Sequence, residues 1–94
     1  MADAKITGSE FLKAAAKGDL AAVQRALSDG MAADTADNHG NSALMIACAR
    51  GRREVARALL GAGADAGHKN QYGLGPRQWA AWAHNRDEIV SLLS

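Results

Sequence analysis

The stretch that decides the fold runs from residue 37 to residue 65 and reads DNHGNSALMIACARGRREVARALLGAGAD. Its first residues favour a tight turn, and Ser42 then precedes an alanine-rich run that stops at Gly51. In the remainder, the spacing of Val55 and Leu59 places both side chains on one side of a helix. The stretch therefore predicts a turn followed by two short helices.

The same pattern occurs three times along the chain. A shift of 33 residues superimposes Gly18 on Gly51, Gly30 on Gly63 and Gly40 on Gly73. A period of this length indicates a supersecondary unit that buries its apolar face only when a neighbouring unit stacks against it. We place the units at residues 5–36, 37–69 and 70–94, and we expect them to form a single domain over residues 1–94.

Each unit predicts two helices. The first helices start at Thr7–Ser9, Ser42 and Gly75-Pro76 and stop near Lys17-Gly18, Arg50-Gly51 and Ala83-His84. The second helices carry their apolar faces on Leu20, Val23 and Leu27, on Val55, Leu59 and Leu60, and on Ile89, Leu92 and Leu93. Since isolated helices this short are marginal in water, they need lateral packing. The predicted fold class is an all-α stack of three helix-turn-helix units.

The links between the units predict hairpin-like fingers. They span Met31 to Asn41 and Ala64 to Gly75. Their central residues, 37–40 and 70–73, are rich in asparagine and glycine, which favour tight turns over continuous strand. We therefore expect the links to project from the helical stack.

Length and composition are those of one small globular domain. The chain has 94 residues, of which 48% are apolar and 22% charged. Because 11 basic residues are balanced by 10 acidic ones, the formal net charge is only +1, and no field over the whole molecule attracts nucleic acid or an anionic membrane. We expect no large enzyme with its own cofactor domain, and function must come from a local surface.

Cysteine content and hydropathy predict a cytoplasmic protein. The single cysteine, Cys48, cannot form an intramolecular disulfide, which is compatible with a reducing compartment. No apolar stretch approaches the roughly 20 residues needed to cross a bilayer. Residues 1–10 also lack the apolar segment of a signal peptide.

The repeated pattern resembles the ankyrin repeat. Residues 37–51 read D-x-x-G-N-S-A-L-M-I-A-C-A-R-G and are similar to the family pattern D-x-x-G-x-T-P-L-H-L-A-A-x-x-G-H, and V55, L59-L60 and G63-A64-D65 match its second half. The resemblance covers nearly all of residues 9–93. The first unit resembles an amino-terminal capping repeat. The third resembles a carboxy-terminal cap, in which Arg77 replaces a leucine at a position expected to face solvent.

The chain also departs from the family pattern. The second unit has Ser42, Ala43 and Met45 in place of threonine, proline and histidine, and the third has Gly75 and Gln78 in place of threonine and histidine. Because Met45 cannot donate the hydrogen bonds of a histidine ring, we expect a softer central finger. The third unit has one extra residue between its helices, where residues 85–88 predict a side-chain cap for the second helix.

Nothing in the sequence predicts catalysis, a cofactor or a metal. The glycine-rich segment 61–67 follows a predicted helix, whereas a phosphate-binding fingerprint follows a strand. The histidines and Cys48 lack a known zinc spacing. No acidic pair, activated serine or Cys-His pairing can be placed by the fold beside a pocket.

Two groups of side chains could contact a partner. The arginines at 50, 52, 53 and 57 form a basic cluster, which is either a solvated helix face or a site for an acidic protein surface. Among the aromatics, we expect Trp79 in the core and Tyr72 in partner contact, whereas Trp82 either contacts a partner or folds back over Trp79.

The resemblance implies a non-catalytic module that binds a protein partner through its fingers and first helices. The implied contact residues are Asn38, His39, Asn41, Ala49 and Arg50 in the second unit, and Lys69, Gln71, Tyr72, Leu74 and Trp82 at the third. Two alternatives use the same fold. One is a structural subunit that self-associates weakly through its third unit near Trp82 and Leu93, and the other is a small inhibitor or immunity-type protein that blocks a partner enzyme.

Overall fold

A computed structural model describes residues 6–93, which form six helices in three pairs. The helices are α1 (Gly8–Lys17), α2 (Leu20–Ser28), α3 (Ala43–Ala49), α4 (Arg53–Gly61), α5 (Pro76–Ala80) and α6 (Arg86–Leu93). The two helices of each pair pack against each other. Helices α1, α3 and α5 form one contacting row, and helices α2, α4 and α6 form a second. The molecule is elongated, 44 × 25 × 20 Å. The predicted all-α stack of three units is confirmed.

The predicted helix starts are confirmed by their caps. The Thr7 hydroxyl accepts a hydrogen bond from the Glu10 amide, and the Glu10 carboxylate accepts one from the Thr7 amide. The Ser42 hydroxyl accepts from the Met45 amide, as a threonine would. Pro76 is the first residue of α5. The Thr7 and Ser42 hydroxyls satisfy amides that the first turn of a helix leaves unpaired, and Pro76 has no amide hydrogen to satisfy.

The core consists largely of small side chains. Ala15, Ala47, Ala56 and Ala80 are fully buried. Since an alanine side chain ends at Cβ, the helices of neighbouring units can approach closely. The larger buried side chains are Phe11, Val23, Leu44, Met45, Val55, Leu59 and Ile89, drawn from both rows of helices.

Both links form fingers. An isolated antiparallel bridge joins Ala36 to Ser42, and the turns end at Gly40 and Gly73, whose amides donate to the carbonyls three residues earlier. Both glycines have positive φ, +82° and +78°. The predicted tight turns are therefore confirmed.

The third unit differs from its prediction. Helix α5 ends at Ala80 rather than near Ala83-His84, because residues 81–83 bond to carbonyls three residues back and tighten into 3₁₀-type turns. The predicted cap at Asn85 is also wrong. The Asn85 amide group donates to the Gly51 carbonyl at 3.1 Å, and its Oδ1 is buried without a hydrogen-bond partner among the described residues.

Hydropathy along the helices gives one further result. No helix formed by residues 6–93 combines the length and apolar character needed to span a membrane.

Candidate functional site

The first finger is organised by Asp37. Its Oδ1 accepts hydrogen bonds from the amides of His39 (2.9 Å) and Asn41 (3.0 Å), and its Oδ2 accepts from Asn41 Nδ2 (3.1 Å). Desolvation raises the pKa of Asp37, but the bonds from Asn41 and His39 outweigh it, so the pKa lies below its usual value. The turn is therefore held by an ionised carboxylate at neutral pH.

The second finger is organised by Asn70, which is buried. Its Oδ1 accepts from the amides of Tyr72 (2.9 Å) and Leu74 (3.0 Å), and its Nδ2 donates to Asn41 Oδ1 at 2.9 Å. One side chain thus closes its own turn and bonds to the neighbouring finger. The sequence pattern predicts the turn at Asn70 but not its bond to the neighbouring finger.

Two further bonds fix the fingers against each other. The Gln71 amide donates to the His39 carbonyl, and His68 Nε2 lies 2.9 Å from the Gly40 carbonyl oxygen. Met45 is buried and contributes no polar contact from its side chain to this network. The expected softness of the central finger stays a prediction. The finger is nevertheless bonded to its neighbour through Asn41, His39 and Gly40.

We expect Asn70→Ala to lower the free energy of unfolding by about 2 kcal/mol, because it leaves two turn amides and the Asn41 oxygen without their partners. Urea denaturation of the whole chain measures this loss. A matched control is Gln71→Ala, at an exposed neighbour whose inter-finger bond uses the backbone. Equal losses in the two variants would contradict the role given to Asn70.

The tips of the fingers carry two stacked rings. The His39 and Tyr72 ring centroids are 6.5 Å apart, with an angle of 29° between the ring planes. Tyr72 nevertheless remains 68% exposed. The stack therefore presents an aromatic surface at the edge of the fingers.

An apolar groove of about 450 Å³ lies between the second finger and the first helices. It adjoins a second groove of about 340 Å³ along the first finger, with which it shares Ala49, Arg50 and Trp79. The apolar groove is lined by Ala49, Arg50, Leu74, Trp79 and Trp82. The second groove, which has both polar and apolar lining residues, is lined by Ser9, Leu12, Lys13, Ala16, Asp37, Asn41, Ile46 and the three shared residues.

Two repeat positions, on or just after the first helices, supply about half of the residues that line the two grooves. The first position is Lys13 in unit one, Ile46 in unit two and Trp79 in unit three, and the second is Ala16, Ala49 and Trp82. Successive members of each set are 33 residues apart, and the two sets are separated by about one helical turn. In the first unit these two positions hold a charged and a small side chain, Lys13 and Ala16. In the third unit both hold an aromatic side chain, Trp79 and Trp82.

The prediction that Trp79 belongs to the core is wrong. Its side chain is half-buried and lines both grooves. Lys13 at the equivalent position was the signal for this arrangement, since a lysine in the first unit indicates that the position faces solvent. Trp82 does not fold back into the stack, because it remains 83% exposed.

The predicted contact residues fall into three groups. Ala49, Arg50, Leu74 and Trp82 are brought together in the apolar groove. His39 and Tyr72 form the ring stack, while Asn38, Lys69 and Gln71 are exposed on the fingers. Asn41 lines the second groove, but both polar atoms of its side chain are bonded within the fingers, to Asp37 and Asn70.

The basic cluster does not form one patch. Arg52 Nε donates to the Ala16 carbonyl at 2.9 Å, and Arg53 pairs with Glu54 and Glu88. The Arg57 Nη1 to Glu54 Oε1 distance is 3.7 Å. Arg50 alone in this cluster lines the grooves.

The remaining chemical groups serve the fold. Cys48 is buried within α3, and burial raises the pKa of its thiol to about 12, so it is a poor nucleophile. Segment 61–67 follows α4, and its amides at Asp65 and Gly67 donate to the carboxylates of Asp34 and Asp65. Within residues 6–93, no three histidine, cysteine or acidic side chains are grouped closely enough to hold a metal ion.

Comparison with known families agrees with this geometry. The family model described as ankyrin repeats, in three copies, matches residues 11–94. The chain belongs to the ankyrin repeat family. Ankyrin repeats are generally protein–protein interaction modules and are typically non-catalytic. A comparison with curated proteins gives no match.

The ankyrin pattern also explains what its departures do here. Gln78 replaces the usual histidine, and its Oε1 accepts from the Gly75 amide at 2.9 Å, so the start of α5 is still capped. Arg77 replaces the usual leucine and is exposed, as the resemblance to a terminal ankyrin unit implied.

Proposed function

We propose that this ankyrin domain binds a protein partner through its fingers and first helices. The observation that carries the proposal is the distribution of exposed apolar side chains. Within residues 6–93, the large apolar side chains that are exposed are Tyr72 (68%), Leu74 (42%) and Trp82 (83%). All three lie on the fingers or on the groove beside them.

Such a surface suits binding for physical reasons. Aromatic side chains at the centre of an interface contribute a large share of binding energy, because they bury much apolar area with few rotatable bonds. The apolar groove has the volume of a ligand pocket, about 300–1,000 Å³. Its charged lining residue is Arg50, whose guanidinium donates hydrogen bonds and accepts none.

A cytoplasmic location is part of the proposal. The support is that the domain is held by its core while its one cysteine, Cys48, is buried and free. The partner would then be met in a reducing compartment.

The test is affinity capture from a native lysate with the intact chain and with a Tyr72→Ala, Trp82→Ala double variant. We expect the double variant to lose partner recovery at least about thirtyfold, the equivalent of about 2 kcal/mol, because two exposed rings are removed from the contact surface. The thermal unfolding curve, followed by circular dichroism, is expected to change little.

The matched control is a Gln24→Ala, Arg57→Ala double variant, whose exposed residues lie on the second helices α2 and α4. It is expected to recover the partner as the unaltered chain does. A capture profile that Tyr72→Ala, Trp82→Ala leaves unchanged would overturn the proposed surface. Sedimentation at micromolar concentration identifies self-association, and a dimer broken by Trp82→Ala would show that the ring serves a second copy.

A further inference from the structure

Arg50 differs from the other arginines of the basic cluster. Within residues 6–93, its guanidinium has no ion pair and no hydrogen bond, whereas those of Arg52, Arg53 and Arg57 are all engaged. Arg50 is exposed and lies at the junction of the two grooves. It is therefore available to a bound molecule.

The charge around Arg50 is unbalanced. The ionisable residues that line the two grooves are Lys13, Asp37 and Arg50. Lys13 is exposed and likewise has no ion pair in the described part of the chain, whereas the Asp37 carboxylate already accepts three hydrogen bonds from the first finger. The groove surface thus carries two cations, Lys13 and Arg50, and one carboxylate, that of Asp37. Neither cation forms an ion pair with Asp37 in the described part of the chain, so both are available to a negatively charged ligand.

The apolar wall beside Arg50 strengthens this preference. Arg50 lines the apolar groove together with Trp79 and Trp82. A guanidinium can bind a carboxylate through two parallel hydrogen bonds, and such bonds gain strength where apolar groups exclude water. Because the cation adjoins the apolar groove, a ligand that fills the groove would place its neighbouring residues at Arg50.

We propose that the groove recognises a protein segment with a large apolar side chain and, close to it along the segment, an aspartate or glutamate. The apolar side chain occupies the space between Leu74, Trp79 and Trp82. The carboxylate binds the Arg50 guanidinium and selects acidic segments over neutral or basic ones. This inference rests on the proposed function and adds the chemistry of the partner.

The experiment uses a random peptide library displayed on phage, selected against the intact chain. Enriched peptides are synthesised with a fluorophore, and their Kd is measured by fluorescence polarisation. Each peptide is also made with its acidic residues changed to the corresponding amides. The protein variants are Arg50→Gln, Trp82→Ala and, as a matched control, Arg57→Gln, another exposed arginine of the same cluster.

The proposal expects enriched peptides to combine an apolar anchor with a nearby acidic residue. Arg50→Gln is expected to weaken them about tenfold, and so is amide replacement in the peptide. The two changes combined should cost little more than either alone, because they remove the same contact. Arg57→Gln should leave Kd unchanged.

Other outcomes distinguish a failure of the acidic preference from a failure of the proposed binding surface. Peptides that need Trp82 but lack an acidic residue, or that bind Arg50→Gln and the unaltered chain equally, would overturn the acidic preference and leave the proposed binding surface in place. Enriched peptides indifferent to Trp82→Ala, or a selection that enriches none, would count against the surface itself.

Discussion

Gly40→Ala is expected to lower the free energy of unfolding by about 3 kcal/mol. Gly40 has a φ of +82°, a left-handed conformation that costs a residue with Cβ about 1–2 kcal/mol. A Cβ there would also lie 3.1 Å from Asn70 Cα and 3.3 Å from the Gln71 nitrogen. Since these are backbone atoms, no side-chain rotation relieves the contact, and the two fingers must move apart.

Separating the fingers has further consequences. It strains the bond from the Gln71 amide to the His39 carbonyl and the 2.9 Å bond from Asn70 Nδ2 to Asn41 Oδ1. The same movement would also disturb the stacking of His39 on Tyr72. We therefore expect Gly40→Ala to weaken partner binding as well as stability.

Gly73→Ala is the matched control, with an expected loss of only about 1 kcal/mol. Gly73 ends the equivalent turn of the second finger with a φ of +78°, but nothing lies within 4 Å of where its Cβ would be. The difference between the two variants in urea denaturation isolates the contact between fingers from the cost of the backbone conformation. Equal losses would show that the close approach of the fingers contributes nothing to stability.

These two glycines also show what the sequence could predict. Gly40 and Gly73 are related by the 33-residue shift, and a tight turn depends on a few consecutive residues, so the pattern predicted both turns. The approach of Gly40 to Asn70 depends on how units stack. A repeat alignment treats the two positions as equal and cannot distinguish them.

At the candidate site, the sequence likewise predicted some of the lining residues and missed one. The sequence placed Trp82 and Leu74 among the contact residues, and they do line the apolar groove. It assigned Trp79 to the core, because a leucine is usual at that position in the family pattern. The position adjoins the grooves in all three units, and the Trp79 side chain is only half-buried there.

Contacts across units also explain side-chain positions outside the site that the local sequence pattern does not predict. The residues around Asn85 form a plausible local cap, but its side chain instead donates to Gly51 in the preceding unit. The arginines at 50, 52, 53 and 57 form one cluster in the sequence, but they do not form one patch in the structure. At the start of α4, the side chains of Arg52 and Arg53 point in different directions, so Arg52 contacts α1 while Arg53 contacts α6.

The Leu44→Ala variant is expected to lose about 3 kcal/mol of unfolding free energy, within the usual range of about 2–5 kcal/mol for a buried leucine. Leu44 is 1% exposed, in the α3 helix that contacts α1, α4 and α5. For a domain of this size the total free energy of unfolding is typically about 5–14 kcal/mol, so the Leu44 side chain would account for a large share of the stability.

Arg77→Ala is the matched control for Leu44→Ala, because residue 77 occupies the same repeat position in the third unit but is exposed. We expect a loss of no more than about 0.5 kcal/mol, as for other surface substitutions. Urea denaturation followed by far-ultraviolet circular dichroism measures both variants. Comparable losses would contradict the assignment of residue 77 to the outer side of the stack. A large loss at Leu44 alone would show that its side chain is needed where the central unit is covered on both sides, since each unit is stabilised chiefly by its neighbours.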